Sequence, residues 1–311
     1  MQNILIDCDP GHDDALALLV ALANEEKLNV LGVSTIGGNQ TLERVTKNAK
    51  NVLGFIKATV PLAMGQSYPL VKELKTAPEA HGDSGMDGPY FSDNDYPISS
   101  ENAVVFMYNK IMESEDKVTI VALGPLTNIA LLIRTFPEVK QKIECISLMG
   151  GGLDHGNCSE IAEFNIYVDP EAANIVFHSE IPIIMAGLDV TEKAEITVEE
   201  IERLKDKGKV SHLAYELLSF YNKSGQQFGF INSPIHDLCA VAYLLDAGIF
   251  AGKKYYVDIV TDYGKSRGLT FADKRRIPAA APNALVLLEV NREKFVKLLL
   301  DTLEKLDSKV I

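Results

Sequence analysis

Four aspartates, Asp7, Asp9, Asp13 and Asp14, crowd around the turn Pro10-Gly11-His12. An apolar run, Ile4-Leu5-Ile6, leads into them, and an apolar helix pattern, Ala15 to Val20, leads away. That order predicts strand, tight turn, helix, with the acids at the strand's carboxyl end, where open α/β sheets bind ligands. Acids in a helix's first turn oppose its positive dipole end and can cap free amides, so a capped turn is the plain alternative. Carboxylates packed this closely repel one another, and a bound cation relieves the repulsion. The chemistry expected is a metal site or a site for sugar hydroxyls.

Positioning such a group requires a sheet, and strand-like and helix-like segments alternate through the first two-thirds of the chain. Strands are expected at Leu28–Ile36, Val60–Met64, Val118–Leu123, Ile143–Met149 and Ile181–Leu188. Helices are expected at Leu42–Ile56, Ala103–Met112, from Pro125 to Ile133, and at Pro170–Phe177. This alternation implies βαβ crossovers and an open, mainly parallel sheet with helices on both faces. Helical patterns dominate Val198–Asp246; late strands are expected at Tyr255–Thr261, Leu269–Ala272 and Leu285–Val290, before a closing helix at Glu293–Leu306. Two long connections, Gly65–Pro97 and Gly150–Val168, have the length of functional loops. No repeat or flexible linker divides the 311 residues, so one domain, 1–311, is expected.

Composition narrows the partners. At 47% hydrophobic the chain can bury a large core, and 43 acidic against 30 basic residues give a net charge of −13. That balance argues against binding nucleic acid, which relies on Lys and Arg. Cys8, Cys145, Cys158 and Cys239 show no CxxC spacing, so free thiols in a reducing compartment are expected. Met1-Gln2-Asn3 runs directly into a strand pattern without a leader, and the longest apolar stretch, Ala15–Ala23, is too short to span a bilayer. A cytoplasmic protein without membrane contact is the expectation.

Further polar groups fall at the ends of the other strands. Gly37-Gly38-Asn39-Gln40 follows the second strand, although Asn39 could simply open a helix with Thr41. Leu123-Gly124-Pro125 can leave a carbonyl facing the crevice. Met149-Gly150-Gly151-Gly152 departs from GxGxxG, which argues against a dinucleotide fingerprint, and its loop supplies Asn157, Glu163 and Asn165. Late in the chain stand His236 and Asp237; alone, the first reads as a packed histidine and the second as an N-cap. These groups gain meaning by meeting on one edge of one sheet.

Asp7-Cys8-Asp9-Pro10-Gly11-His12-Asp13-Asp14-Ala15 resembles the DxDPGxDDA signature of the inosine–uridine-preferring nucleoside hydrolases. Gly38-Asn39-Gln40-Thr41, His81-Gly82-Asp83-Ser84-Gly85, Gly124-Pro125-Leu126-Thr127-Asn128, Met149-Gly150-Gly151-Gly152, Ala162-Glu163-Phe164-Asn165 and His236-Asp237-Leu238 are similar to its later motifs, in order. The resemblance implies a Rossmann-like nucleoside hydrolase fold and calcium-dependent hydrolysis of the N-glycosidic bond of ribonucleosides, purine or pyrimidine. By the same resemblance, Ca²⁺ would be held by Asp9, Asp14, Asp237 and the main-chain carbonyl of Leu123, an all-oxygen set suited to that ion. Asp9 would also take a proton from the attacking water. Asp13 and Asn165 would hold the ribose 2′- and 3′-hydroxyls, Asn157 and Glu163 the 5′-hydroxyl, with Met149 beneath the sugar and Asn39 supporting the ribose. His236 would face the base as general acid, with His81 nearby. Assembly as a homodimer or homotetramer is also implied.

Two other readings compete. Asp7-x-Asp9 after a strand, with Gly82-Asp83 and Asp87, is similar to the motifs of haloacid-dehalogenase-like phosphatases, but Pro10-Gly11-His12 breaks their pattern. A nucleoside-binding protein without turnover would keep the pocket but need not keep Asp9 and His236. The segment Phe220–Phe230 leaves the preferred base open.

Overall fold

The protein was analysed as a computed structural model, which describes residues 1–278 and 280–310. The strands in chain order are β1 Gln2–Cys8, β2 Leu28–Thr35, β3 Leu62–Met64, β4 Ile98–Ser100, β5 Val118–Ala122, β6 Ile143–Met149, β7 Ile183–Ala186, β8 Glu195–Ile196, β9 Ser233–Pro234, β10 Phe250–Tyr255, β11 Val257–Ile259, β12 Thr270–Ala272 and β13 Ala284–Val290. Nine of them form one sheet in the order β10-β13-β7-β6-β5-β1-β2-β3-β4. Every neighbouring pair is parallel except β10 with β13 at one edge.

Alternation along the strands divides the interior between two faces. In β1, Ile4, Ile6 and Cys8 join the larger apolar cluster, together with the helices His12–Ala23, Lys209–Gly225, Leu238–Leu245 and Arg292–Asp307. Leu5 points the other way, into a cluster with Ala103–Glu113, Thr127–Thr135 and Pro170–Phe177. The helix His12–Ala23 is apolar around almost its whole circumference, and Leu22 alone among its residues escapes full burial. A helix wrapped by core on all sides is a rigid platform for whatever its first turn carries.

The strand order reverses between β1 and β5, with β2, β3 and β4 extending one way and β6, β7 and β13 the other. Crevices outside the carboxyl ends at such a reversal are where open α/β sheets bind ligands. Asp9 follows β1, Leu123 follows β5, and Met149 ends β6, so the sheet itself brings these positions to one place.

The late part of the chain departs from the sequence expectation. Instead of one strand over 255–261, the chain breaks at Tyr256: Phe250–Tyr255 pairs antiparallel with β13, and Val257–Ile259 pairs with Thr270–Ala272 in a separate small sheet. The edge strand was hidden because its solvent-facing residues include Lys253 and Lys254, the kind of side chain that blunts a sheet edge. The two long connections are not bare loops, since Pro78–His81 and Phe164–Val168 are short helices. The short edge strand Ile98–Ser100 was also not expected. Among the described residues no helix is long and apolar enough to cross a membrane.

Candidate active site

Asp9 leaves β1 fully buried, and the turn that follows is closed by the helix it introduces. Asp14 Oδ2 accepts the Gly11 amide at 2.9 Å and Asp14 Oδ1 the Asp9 amide at 3.2 Å. The capping alternative for Asp14 is therefore real, but it accounts for one carboxylate only. From β2, the Asn39 amide donates to Asp9 Oδ2 at 2.7 Å, and Asn39 Nδ2 donates to the Asp9 carbonyl at 3.2 Å. A side chain at Gly38 would strike both the Asp9 carboxylate and Pro125, so the glycine lets β2's exit pack onto the acid. Asp9 Oδ1 is left buried with no partner among the described residues.

Asp7, one register step inside the strand, is not part of this opening. Its Oδ1 accepts Ser34 Oγ at 2.5 Å and Asn128 Nδ2 at 2.9 Å beneath the site, which ties β1 to β2 and to the helix Thr127–Thr135.

Carboxylate oxygens of Asp13, Asp14 and Asp237 lie within 4.8 Å of one another, all three residues buried. Buried carboxylates packed this closely repel one another unless a proton or a cation lies between them. Burial first, and then the charge of Asp14, push Asp13 up to about 7. Burial and neighbouring acids likewise hold Asp9 and Asp237 well above the ordinary carboxylate range. The orphaned Asp9 oxygen and the mutually repelling trio fit a hard, oxygen-seeking metal ion. Asp13 thus stands with the expected metal ligands as well as where a sugar hydroxyl would come.

Above the acids opens a cavity of 570 Å³. Asp13, Asn39, His81, Leu123, Met149, Asn157, Glu163, Asn165, His236 and Asp237 all line it, while Asp9 and Asp14 sit just beneath. Asn165 Nδ2 donates to the carbonyls of Leu123 at 2.7 Å and Met149 at 3.2 Å, so it bridges the ends of β5 and β6. That pairing turns the amide oxygen of Asn165 free for a ligand and leaves the Leu123 carbonyl a second lone pair. Glu163 is the N-cap of Phe164–Val168: its carboxylate accepts amides of Asn165 at 2.9 Å, Gly151 at 2.8 Å and Ile166 at 3.1 Å. The triple glycine is therefore a turn shaped around a carboxylate. Asn157 Oδ1 accepts the Phe164 amide at 2.8 Å, which leaves its NH₂ as the group available to a ligand.

His236 is partly buried and its Nδ1 lies 2.8 Å from Thr191 Oγ1, while its desolvation pushes it down to about 4, so the ring is neutral near pH 7. His81 comes from the short helix in the first long loop, and burial together with His12 and His236 holds it well below its ordinary range. The segment left open from the sequence divides clearly: Tyr221, Phe228 and Phe230 line the cavity, and Phe220 stacks on His12 instead. Sequence reasoning missed the seating of this segment, which depends on Ser224 Oγ donating to the Ala80 carbonyl at 2.7 Å and Gln227 Nε2 to that of Glu79 at 2.6 Å. Aromatic residues two apart at 228 and 230, after a helix end and beside a glycine, were the available signal.

The comparisons with known proteins agree with this geometry. The family described as inosine-uridine preferring nucleoside hydrolase matches residues 4–297. The pyrimidine-specific ribonucleoside hydrolase RihA of Escherichia coli O1:K1 / APEC is 44% identical over 306 residues, covering 97% of this chain and 98% of that protein. Among solved structures, a plant nucleoside hydrolase, the PpNRh1 enzyme, superposes with a TM-score of 0.89 at 30% identity over 97% of this chain and 99% of its own. A purine-preferring ribonucleoside hydrolase from Gardnerella vaginalis superposes with a TM-score of 0.91 at 27% identity, over 99% of both chains. The match across 4–297 sets aside the phosphatase reading. Asp87, its third motif residue, caps its own loop by accepting the Ser84 amide at 3.1 Å.

Proposed function

The chain belongs to the inosine-uridine preferring nucleoside hydrolase family and is an N-glycosyl hydrolase, and on that premise we propose that it cleaves pyrimidine ribonucleosides to free base and ribose with the help of a calcium ion. The observation that carries the pyrimidine reading is the 44% identity to the pyrimidine-specific RihA over 97% of the chain. The calcium reading rests on the clustered carboxylates of Asp13, Asp14 and Asp237, with the unpartnered Asp9 Oδ1 and the Leu123 carbonyl as the further oxygen donors. What the ion supplies when bound is Lewis-acid activation of water and an anchor for a vicinal diol.

The protein's own groups do the rest. Asp9 holds one oxygen fixed through Asn39 and keeps Oδ1 free to accept a proton from the attacking water. Asp13 and the amide oxygen of Asn165 take the 2′- and 3′-hydroxyls, the Asn157 amide and Glu163 take the 5′-hydroxyl, and Met149 forms the floor. Loss of the base builds positive charge on the ribose, which the acids and the Asn39 side chain stabilise electrostatically. Tyr221, Phe228 and the histidines 81 and 236 surround the departing base, and His236, neutral at rest, must first take up a proton from solvent, which it then passes to the base. Water arriving on the face opposite the base inverts the anomeric centre.

Assembly into a homodimer or homotetramer belongs to the same reading. It is supported by exposed apolar side chains at Tyr68, Val71 and Tyr263, with Lys72 lying over the Tyr263 ring. Light scattering on the purified protein tests it.

The deciding experiment measures release of reducing sugar from uridine, cytidine, inosine, adenosine and guanosine, with calcium and with chelator. Faster turnover of uridine and cytidine, lost with calcium, supports the proposal. Preference for inosine or guanosine overturns the pyrimidine assignment, and undiminished activity after confirmed metal removal overturns the calcium assignment.

A further inference from the structure

His12 is a fully buried imidazole in the first turn of the helix His12–Ala23, beside the acids, and the mechanism above does not use it. Its ring lies parallel to Phe220, with centroids 5.0 Å apart, and to Tyr221 at 5.5 Å and His81 at 5.4 Å. Its Nε2 is 2.7 Å from the carbonyl oxygen of Asp87, and its Nδ1 is 3.1 Å from His81 Nδ1.

We propose that His12 is a positioning residue that fixes the tautomer of His81, so that His81 presents an unprotonated Nε2 to the base pocket. The inference rests on the nucleoside-hydrolase reading of that pocket and follows from counting protons. A carbonyl oxygen can only accept, so His12 Nε2 carries the hydrogen facing Asp87. His12 is fully buried, and its two ring nitrogens meet only that carbonyl and the His81 ring, with no carboxylate in hydrogen-bond contact to hold a second proton, so its Nδ1 is bare. Two ring nitrogens 3.1 Å apart need one proton between them, and it must sit on His81 Nδ1. The remaining nitrogen of His81, Nε2, is therefore an acceptor, and it has no protein partner among the described residues.

One contact pulls the other way. The His12 main-chain amide also approaches His81 Nδ1, at 3.4 Å, and would favour a bare nitrogen there. Satisfying it would turn the His12 Nε2 lone pair onto the Asp87 carbonyl at 2.7 Å, a far closer repulsion. The shorter contact decides the tautomer.

The local structure holds both ends of this relay still. The Asp87 amide donates back to the His81 carbonyl at 3.1 Å, and its carboxylate accepts Ser84 Oγ at 2.5 Å, closing the loop on itself. His81 rests on the Gly11 backbone: a Cβ at Gly11 would lie 2.5 Å from His81 Nδ1 and 2.7 Å from Cε1. Gly11 supplies the seat and His12 the partner, which gives the Gly-His pair of the opening motif a joint purpose. His81 can accept a hydrogen bond from an N–H or O–H on the base side but cannot give one, which leaves proton donation to His236.

The test combines spectroscopy with turnover. In the calcium-loaded enzyme labelled with ¹⁵N-histidine, His81 is assigned by difference against His81→Gln. A protonated Nδ1 and a bare Nε2 at neutral pH are expected in the wild type. His12→Gln keeps a donor for Asp87 but no acceptor for His81, and His12→Phe keeps only the stack; both should shift His81 toward the Nε2–H form. Both should lower kcat/KM for uridine about ten- to a hundredfold, the range typical when a partner orienting an active-site imidazole is lost. His12→Asn, with its amide oxygen near the position of Nδ1, should recover most of that loss. An Nε2–H signal for wild-type His81, or a tautomer unchanged in His12→Gln and His12→Phe, overturns the proposal. A wild type that cleaves no nucleoside would refute the functional reading while the spectrum still decides the tautomer, and the wild-type spectrum decides it even if His12→Phe does not fold.

Discussion

Asn39 grips Asp9 twice, its amide donating to Asp9 Oδ2 at 2.7 Å and its side chain to the Asp9 carbonyl at 3.2 Å. The second oxygen of the carboxylate is left buried, with no hydrogen-bond partner among the described residues. One oxygen is spent on position so that the other is free for chemistry.

Replacing Asp9 by Ala should therefore remove a metal ligand and the proton acceptor together. A loss of at least about a hundredfold in kcat on uridine is expected, since general base and metal contributions each reach that size. Calorimetric titration should show weakened calcium binding in the same variant. Activity within a few-fold of wild type would move the base to another residue.

Calcium and pH should act on stability through the same acids. Folded Asp13 keeps its proton up to about 7, against 3.8 for the unconstrained group, and Asp7 is likewise raised to about 7. A carboxyl raised on folding stabilises the metal-free protein below the unfolded value, and that contribution is lost as pH climbs through the folded one. Two desolvated histidines oppose this at lower pH, because His12 and His236, both lowered to about 4 from 6.5, favour the folded state increasingly until the unfolded rings are neutral near 6.5. Above 6.5 the carboxyls alone remain. Chelated protein should lose thermal stability from pH 6.5 to 7.5, and added calcium should raise Tm more at 7.5 than at 6.5. A Tm of the chelated protein that climbs over this window would contradict the assignment of the acids.

How much of this was legible in the residues differs between the two ends of the argument. The sheet, its parallel sense and the opening motif could be read because β1, β2, β5 and β6 are short apolar runs that end in polar or glycine-rich turns. The edge strand Phe250–Tyr255 could not, because its lysines erase the apolar alternation on which such a reading depends. In the site, the aspartates of the opening motif stood out by type, whereas Asp237, which alone reads as an N-cap, gains its meaning from the fold that sets it against Asp13 and Asp14. The double duty of Glu163, whose carboxylate receives amides from Gly151 and Asn165, was invisible, since it depends on how a loop folds back. The pairing of His12 with His81 joins positions 69 residues apart and has no sequence signature.

Ribose should be read more strictly than the base. On the proposed assignment, Asp13 and Asn165 offer a buried carboxylate and a buried amide oxygen to the 2′- and 3′-hydroxyls, so a substrate lacking one hydroxyl would leave a buried acceptor unpaired. Sites built this way reject the deoxy analogue by as much as about 10⁴. The ratio of kcat/KM for uridine to deoxyuridine checks it, and a ratio near one would remove Asp13 and Asn165 from the sugar site. Uridine 5′-monophosphate should also be a poor substrate, because Glu163, on the proposed assignment, would repel the phosphate.

The role of His236 separates chemistry from scaffolding. Thr191 Oγ1 lies 2.8 Å from its Nδ1 and fixes the ring, and the next residue, Asp237, belongs to the acidic cluster. If His236 protonates the base, His236→Ala should slow uridine by about 10² to 10⁴, the usual worth of a general acid. p-Nitrophenyl riboside, whose leaving group hardly needs a proton, should be far less affected. Thr191→Val should reproduce a weaker form of the same bias, because it loosens the ring without touching the acids. A purely structural His236 would instead lower both substrates together and weaken calcium binding through Asp237. Equal losses on both substrates with reduced calcium affinity would therefore assign the proton to another group in the pocket, such as Tyr221, whose ring stacks on His81.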